Sequence, residues 1–451
     1  MQKGLNRREF IRTTAALGAG LYVSGKALGA DSGSSDVINV ALLGAGTQGQ
    51  VLMDAVMKAK DPNIRFIAVC DIWEQVNLRK VSRRLKAWES LGYKGTAYTD
   101  YKEMLDKEKD LDAVIIATPD FWHSEHACAC LAKGLHVYCE KEMSNTIEGA
   151  RKMVEAQKAS GKLLQIGHQR RSNPRYQYCY DKLIRGAKLI GRITTINGQW
   201  NRSKASCEDL AAPEGAEIDE ATLNKYGFKN MHQFMNWRWF KGLGGGPIVD
   251  LGSHQIDIYS WYLGCNPKTV IASGGIDYWK AHEWYDSVMA VYEYETPDGP
   301  VRAMYQTSTT NSANGYYECF MGDRGTLMIS ESAGRGSVYR ENWVLEEEWE
   351  PFVKQGLIRK VQTALAEKKD DEAVLDVREG SVAVAEYKIP VTMDVPYHQP
   401  HLMNFFNAIR GREKLNCPAE VGFETAVTVL KVNEAVEKAC RLEFKPEEFR
   451  A

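Results

Sequence analysis

From residue 37 onward the chain alternates short, largely apolar runs with longer stretches in which apolar residues return every three or four positions. The runs 37–43 (VINVALL), 64–70 (IRFIAVC), 113–117 (AVIIA), 136–139 (HVYC) and 163–167 (LLQIG) are too short for helices, and most are rich in β-branched residues, so they predict buried strands. Helical spacing over 50–59, 73–88, 121–133 and 146–160 puts a helix after each of the first four. Strands joined through helices form a parallel sheet covered on both faces. The expectation is a doubly wound α/β domain over residues 37–168.

Past residue 191 the period changes. Segments 193–200, 270–278, 287–294, 301–308 and 315–322 mostly alternate polar and apolar residues, which suits an antiparallel sheet covered on one face. Segments 204–236 and 341–385 are polar and irregular and read as insertions or long loops, which are commonly functional. Helical spacing resumes over 401–438. The second domain, 169–451, is therefore expected to be α+β with a largely antiparallel sheet.

At the end of the first strand stands Gly44-Ala45-Gly46-Thr47-Gln48-Gly49. This G-x-G-x-x-G pattern is common in loops, but here it joins a strand to a helix. Gly44 then allows the tight turn, Gly46 lets backbone approach a pyrophosphate, and Gly49 lets helix and strand pack closely. The helix N-terminus at Thr47 and Gln48 offers unpaired N–H groups to the phosphates. Asp71 follows the second strand at about the usual 20-residue spacing. A carboxylate there binds ribose hydroxyls and repels a 2′-phosphate, favouring NAD over NADP; the plainer alternative is a helix-capping aspartate. Ala117-Thr118-Pro119 ends a strand at the sheet's carboxyl edge, facing the cofactor or forming a structural turn. His123 is placed to cover the nicotinamide ribose, or to be a packed histidine.

Glu140-Lys141 follows another strand at the same edge. A lysine there can hydrogen-bond a substrate hydroxyl and stabilise the alkoxide as hydride leaves. Further on comes GGGPIVDLGSHQID, residues 244–257. If the chain is helical from Ile248, Asp250 and His254 share one face, and the carboxylate sets the tautomer of a histidine general base. Alone, such a pair is often structural. His168, Arg170 and Arg171 follow a sheet strand and are candidates to line the cleft. Trp237 can stack on a sugar ring and Arg238 can grip hydroxyls or carboxylates, with core packing the alternative for the tryptophan. His398 and His401 read as structural.

GAGTQG at 44–49, CD at 70–71, ATPDFWH at 117–123, EK at 140–141 and GGGPIVDLGSHQID at 244–257 together resemble the Gfo/Idh/MocA oxidoreductases, named for glucose–fructose oxidoreductase and inositol dehydrogenase. The resemblance covers nearly all of the chain after its N-terminus. It implies NAD(H)-dependent oxidation or reduction of a sugar, glycoside or cyclitol. It also implies Lys141, Asp250 and His254 as the catalytic group, with His254 as proton acceptor, and an open antiparallel sheet often buried in a dimer or tetramer interface. One departure matters. The family's proline after the lysine is Glu142 here. Proline takes a cis peptide cheaply and glutamate does not, so Lys141 is expected to be less firmly placed. The extra carboxylate is expected to tune the lysine's charge.

Composition narrows the partners more than the chemistry. At 451 residues, 44% apolar and 26% charged, the chain has room for two ordinary globular domains. A net charge of −2 predicts no affinity for nucleic acid or anionic membrane. The ten cysteines lack metal-site or framework spacing, so reduced thiols and no metal are expected. Residues 6–12 (NRREFIR) precede a short Gly- and Ala-rich apolar run and small residues at 25–30. That is the layout of an export signal of twin-arginine type over 1–30, with 31–36 as linker and the periplasm as destination. The run is too short for a stable membrane anchor.

Export of a folded protein lets NAD travel bound. Where free NAD is scarce, a tightly held cofactor must be regenerated within the site. A second substrate can do so. Transient oxidation followed by elimination and hydride return can too, and then the net reaction is NAD-dependent glycoside cleavage. A nucleotide-binding regulator without turnover is the remaining reading, against which the full Lys, Asp and His set argues.

Overall fold

The structure, a computed structural model, describes residues 36–332, 334–361 and 384–451. The export-type segment 1–30, and all but the last residue of the 31–36 linker, lie outside the described residues.

The first sheet has six parallel strands: β1 (Ile38–Leu43), β2 (Ile64–Cys70), β3 (Thr96–Tyr98), β4 (Ala113–Ile116), β5 (His136–Cys139) and β6 (Leu164–Ile166). Their order is β3-β2-β1-β4-β5-β6. Val40, Leu42, Val114 and Ile115 are wholly buried, which is why continuous apolar runs marked these strands. The order reverses between β1 and β4, and their carboxyl ends part to form the crevice where Rossmann ligands bind. The stretch predicted as one helix over 73–88 is instead a wide turn, Glu74–Leu78, followed by a helix, Arg79–Lys86.

The second sheet has ten strands: β7 (Ile193–Asn201), β8 (Thr269–Gly275), β9 (Ser287–Thr296), β10 (Gly299–Ser308), β11 (Tyr316–Gly322), β12 (Gly325–Ile329), β13 (Gly336–Arg340), β14 (Arg359–Lys360), β15 (Ala385–Lys388) and β16 (Leu442–Glu443). They run in the order β14-β15-β13-β12-β11-β7-β10-β9-β8-β16. β7 and β10 pair in parallel; the other pairs are antiparallel. Tyr292 of β9 and Tyr305 of β10 lie in the core with the helices Gly252–Leu263 and Ala419–Lys438. The opposite face leaves Ile271, Val291 and Met304 exposed. Val291 is in register with both of the others, so the three form a row across β8, β9 and β10.

The helical stretch expected over 401–438 is two helices, Gln399–Ile409 and Ala419–Lys438. Gly411, with φ of 69°, and Pro418 lie in the turn between them. All ten cysteines are free, most of them in the core. Among the described residues no helix is long and apolar enough to cross a membrane.

Candidate active site

A cavity of about 660 Å³ opens along the carboxyl edge of the parallel sheet and continues among residues of the second domain. Gly44, Gly46, Thr47 and Gln48 line it at the first turn. Gly44 has φ of +93°, and a Cβ there would meet the Ala117 carbonyl oxygen at 2.6 Å, so only glycine fits against the end of β4. Gly49 does not reach the cavity: a Cβ on it would lie 1.9 Å from the Gly44 oxygen, so its role is packing. Gly46 is the open one, with nothing nearer than the Asn77 amide at 3.8 Å. It starts the helix Thr47–Ala59 with no side-chain cap. An open glycine below uncapped N–H groups fits a dinucleotide pyrophosphate.

Asp71 sits beside this turn on the same cavity. Its Oδ2 accepts from the Ala45 N–H at 2.7 Å and its Oδ1 from the Trp73 N–H at 2.7 Å, with Asn77 Nδ2 at 3.3 Å from Oδ2. Burial pushes the carboxyl up to about 6 against these donors. Asp71 thus braces the glycine turn as well as facing the ligand space. Ala117, Thr118 and Pro119 line the opposite side of the turn.

Lys141, Glu140, Asp250 and His254 share the cavity with Trp237 and Arg238. Lys141 Nζ donates to the Asp250 backbone oxygen at 2.6 Å and to Asp250 Oδ1 at 3.2 Å. Burial alone would raise the Asp250 carboxyl, but Lys141, Arg238 and Arg202 outweigh it and hold the group well below the usual carboxylate range. His254 is lowered well below its ordinary value, first by burial and then by Lys141, so its ring is neutral. Its Nδ1 is buried without a partner.

The expected Asp–His couple is not formed. One helix, Gly246–Asp250, ends at Leu251 and a second, Gly252–Leu263, begins there, so the two residues do not share one continuous helix face. Asp250 spends its carboxylate on cations rather than on the histidine. The arrangement is a lysine fixed by a carboxylate, next to a separate neutral imidazole.

Four other expected residues do not line the cavity: His123, His168, Arg170 and Arg171, the last paired instead with Asp257 at 2.8 Å. His123 is buried, with Nδ1 2.7 Å from the Glu142 carbonyl and Nε2 2.7 Å from the Thr118 carbonyl. It ties two loops behind the site. His168 is buried with neither ring nitrogen partnered. Arg170 is fully buried: Nε donates to Glu331 Oε2 at 2.8 Å, and NH1 donates to Glu318. It backs the wall instead, its guanidinium 5.5 Å from the Trp200 ring centroid and 5.6 Å from that of Tyr316, both of which do face the cavity.

Glu142 departs from expectation twice. The Lys141–Glu142 peptide is cis without a proline. The Glu142 side chain is wholly buried and accepts from the Met143 N–H at 2.8 Å, and burial pushes its carboxyl up to about 8. It is therefore neutral near pH 7 and brings no charge to bear on Lys141. A raised folded pKa contributes stability at low pH that is lost as pH rises through about 8. Relative to wild type, Glu142→Gln is expected to gain up to about 1.4 kcal/mol per pH unit between pH 5 and 8. Urea unfolding across that range measures it, and a pH-independent difference contradicts the assignment.

Two family models match the chain. "Oxidoreductase family, NAD-binding Rossmann fold" covers residues 38–168, and "GFO/IDH/MocA C-terminal domain" covers 217–328. The chain belongs to the Gfo/Idh/MocA oxidoreductase family. It is 31% identical over 156 residues to 4-carboxy-2-hydroxymuconate-6-semialdehyde dehydrogenase of Sphingobium sp., covering 35% of this chain and 46% of that one. It is 25% identical over 232 residues to D-glucoside 3-dehydrogenase of Escherichia coli K12, covering 51% of this chain and 55% of that one. The chain thus spans about half the length of these curated relatives. The fold matches levoglucosan dehydrogenase in complex with NADH and L-sorbose, with a TM-score of 0.65 and 16% identity over 90% of this chain and 99% of that one.

Several residues of this Gfo/Idh/MocA site were given no part in the site by the sequence. Asp120 starts the helix Asp120–Ala132 on the cavity wall, and burial pushes it up to about 7. His126, one turn past His123, faces the cavity instead, its Nδ1 3.0 Å from Thr118 Oγ1. His398 also lines the cavity, 3.0 Å from the Gln48 amide, whereas His401 is buried. The largest addition is segment 204–236, expected to be irregular but holding two short helices, Glu220–Lys225 and Met231–Met235. The Ala216 carbonyl accepts from Trp73 Nε1 at 2.6 Å, and the Tyr226 carbonyl accepts from Trp122 Nε1 at 3.0 Å. Tyr226 OH donates to the Thr99 carbonyl at 3.1 Å, and Phe228 packs edge-on against Phe121. Residues of the second domain are thereby strapped onto the carboxyl edge of the first sheet. His123 and His126 are neighbours on one helix, so spacing does not single out His126; the rest arise from contacts distant in sequence.

Proposed function

We propose that this chain is an NAD-dependent dehydrogenase of a sugar, glycoside or cyclitol hydroxyl that keeps its cofactor between turnovers. The carrying observation is Lys141 Nζ, held by two oxygens of Asp250 on the same cavity as neutral His254 and the open Gly46 turn. Gly44, Gly46, Thr47 and Gln48 would hold the pyrophosphate and Asp71 the ribose. Bound NAD supplies the hydride acceptor. Two of the three ammonium hydrogens of Lys141 are engaged, which leaves one to donate to the substrate hydroxyl oxygen and stabilise the alkoxide. Uncharged His254 is in the state a general base needs and takes the hydroxyl proton. Asp250 stays anionic and positions Lys141.

Asp71 favours NAD, because a 2′-phosphate would bring more negative charge onto a carboxylate already placed at the ribose. The named relatives are oxidoreductases, so net oxidoreduction is proposed rather than glycoside cleavage. Likeness to the glucoside 3-dehydrogenase makes C3 of a pyranoside the first position to test. Absorbance at 340 nm with a panel of pyranosides and cyclitols tests this. Growth of the NADH band with a ketone product is expected; free sugar released without net NADH would overturn it.

The 204–236 strap supports retention of the cofactor. Trp73 lines the cavity, bonds the strap at Ala216 and packs edge-on against Phe234 at 5.6 Å. Trp73→Ala is expected to speed NAD release by about 10-fold, that is about 1.4 kcal/mol. Displacement kinetics would show it, and an unchanged release rate counts against a sealing strap.

We also propose export by the twin-arginine route. Replacing Arg7 and Arg8 by lysine should leave precursor inside the cell, and undiminished export would refute this. A homodimer or homotetramer joined over the row Ile271, Val291 and Met304 is proposed from its exposure. Met304→Glu should reduce the mass measured by light scattering, and an unchanged mass excludes this face.

A further inference from the structure

We propose, building on the dehydrogenase reading, that the substrate carries a carboxylate seated between Arg202 and Arg238: a uronic acid or its glycoside. Both arginines line the cavity beside Asp250, with side chains 33% and 40% exposed. Each guanidinium has five N–H donors. Arg238 uses one, from Nε to Asp250 Oδ1 at 3.3 Å. Arg202 comes no nearer than 3.9 Å to Asp250 Oδ2, which is beyond hydrogen-bond distance. Among the described residues the remaining donors find no protein acceptor.

The two guanidiniums are not loose. The Arg238 guanidinium lies 4.4 Å from the Trp237 ring centroid, and that of Arg202 5.3 Å from the Trp200 centroid. Contact with an aromatic ring restrains each guanidinium, whose fork of donors matches a carboxylate. The local charge points the same way. Lys141, Arg202 and Arg238 converge on the carboxylate of Asp250. Asp120 and Glu140 line the same cavity, but burial pushes the Asp120 carboxyl up to about 7, and Glu140 accepts from Tyr138 OH at 3.2 Å and makes no ion pair with either arginine. Glu331, on the same wall, is bound to Arg170 at 2.8 Å, and exposed Glu208 lies 3.9 Å from Lys204. A neutral sugar entering here would strip water from two cations and return only hydroxyl acceptors. A carboxylate satisfies the forks and the charge together.

The test compares methyl glycosides of glucose and galactose, both anomers, with their uronides and 6-phosphates on the NAD-loaded protein. kcat/KM is read from NADH formation, and binding from quenching of tryptophan fluorescence. At least one uronide is expected to exceed its neutral counterpart by roughly 10- to 100-fold. Arg202→Gln should shrink that ratio, Arg202→Lys should recover part of it, and NAD affinity shows that each variant is folded. If neutral glycosides react as well as every uronide, this inference fails and the dehydrogenase reading stands. Preference for a 6-phosphate overturns the carboxylate in favour of a phosphate. If no member of the panel binds or reacts, both fall.

Discussion

Lys141→Met is expected to slow sugar oxidation by about 100- to 1,000-fold, the range for removing one preorganised donor to a developing oxyanion. NAD affinity should change little, because the glycine turn and Asp71 are untouched. The effect should fall on kcat, since the third hydrogen of Lys141 matters most when the alkoxide forms. Asp250→Asn separates the two contributions to this geometry: the backbone oxygen still holds Nζ at 2.6 Å, while the charge that steadies it is gone. A smaller loss than in Lys141→Met is expected there. Lys141→Met activity within a few-fold of wild type would remove this lysine from the chemistry.

Arg170→Met should produce the largest loss of stability, about 3–5 kcal/mol, because it leaves buried carboxylates without their cation. Glu318 and Glu331 both depend on this guanidinium, and Tyr176 OH, which donates to Glu318 at 2.7 Å, cannot replace the charge. Even with Arg170 present, burial pushes Glu318 up to about 7. Without it, Glu318 must protonate to stay inside. The raised folded pKa makes stability fall as pH rises, so the variant should suffer more at pH 8 than at pH 6. Urea titrations at both values measure this, and equal losses would contradict it. Activity should suffer as well, since Arg170 backs Trp200 and Tyr316 on the cavity wall.

The Rossmann half was legible because its signals are local. Strands buried on both faces appear as mainly apolar runs, and the glycine turn, Asp71 and Lys141 each follow a strand at the sheet's carboxyl edge. β3 escaped notice because three residues, Thr96–Tyr98, carry no period. The substrate side was harder to read. Arg170 looked like a cleft residue, yet its partners lie 148 and 161 positions away, and their proximity exists only in the folded sheet. His123 and His126 share a helix, and only packing decides that His126 faces the cavity. Asp250 and His254 had the right spacing, but the helix breaks between them at Leu251. Segment 204–236 shows no period because its helices, Glu220–Lys225 and Met231–Met235, are too short to carry one, and its apolar residues pack against Ile72, Phe121 and Trp122.

Direct hydride transfer at this cavity is tested most sharply with a glycoside deuterated at the carbon oxidised. Mass spectrometry of the nucleotide extracted after one turnover should find the deuterium in the reduced nicotinamide ring, and oxidation should slow through a primary isotope effect. Turnover of the sugar with no deuterium in the nucleotide would contradict a dehydrogenase at Lys141 and His254.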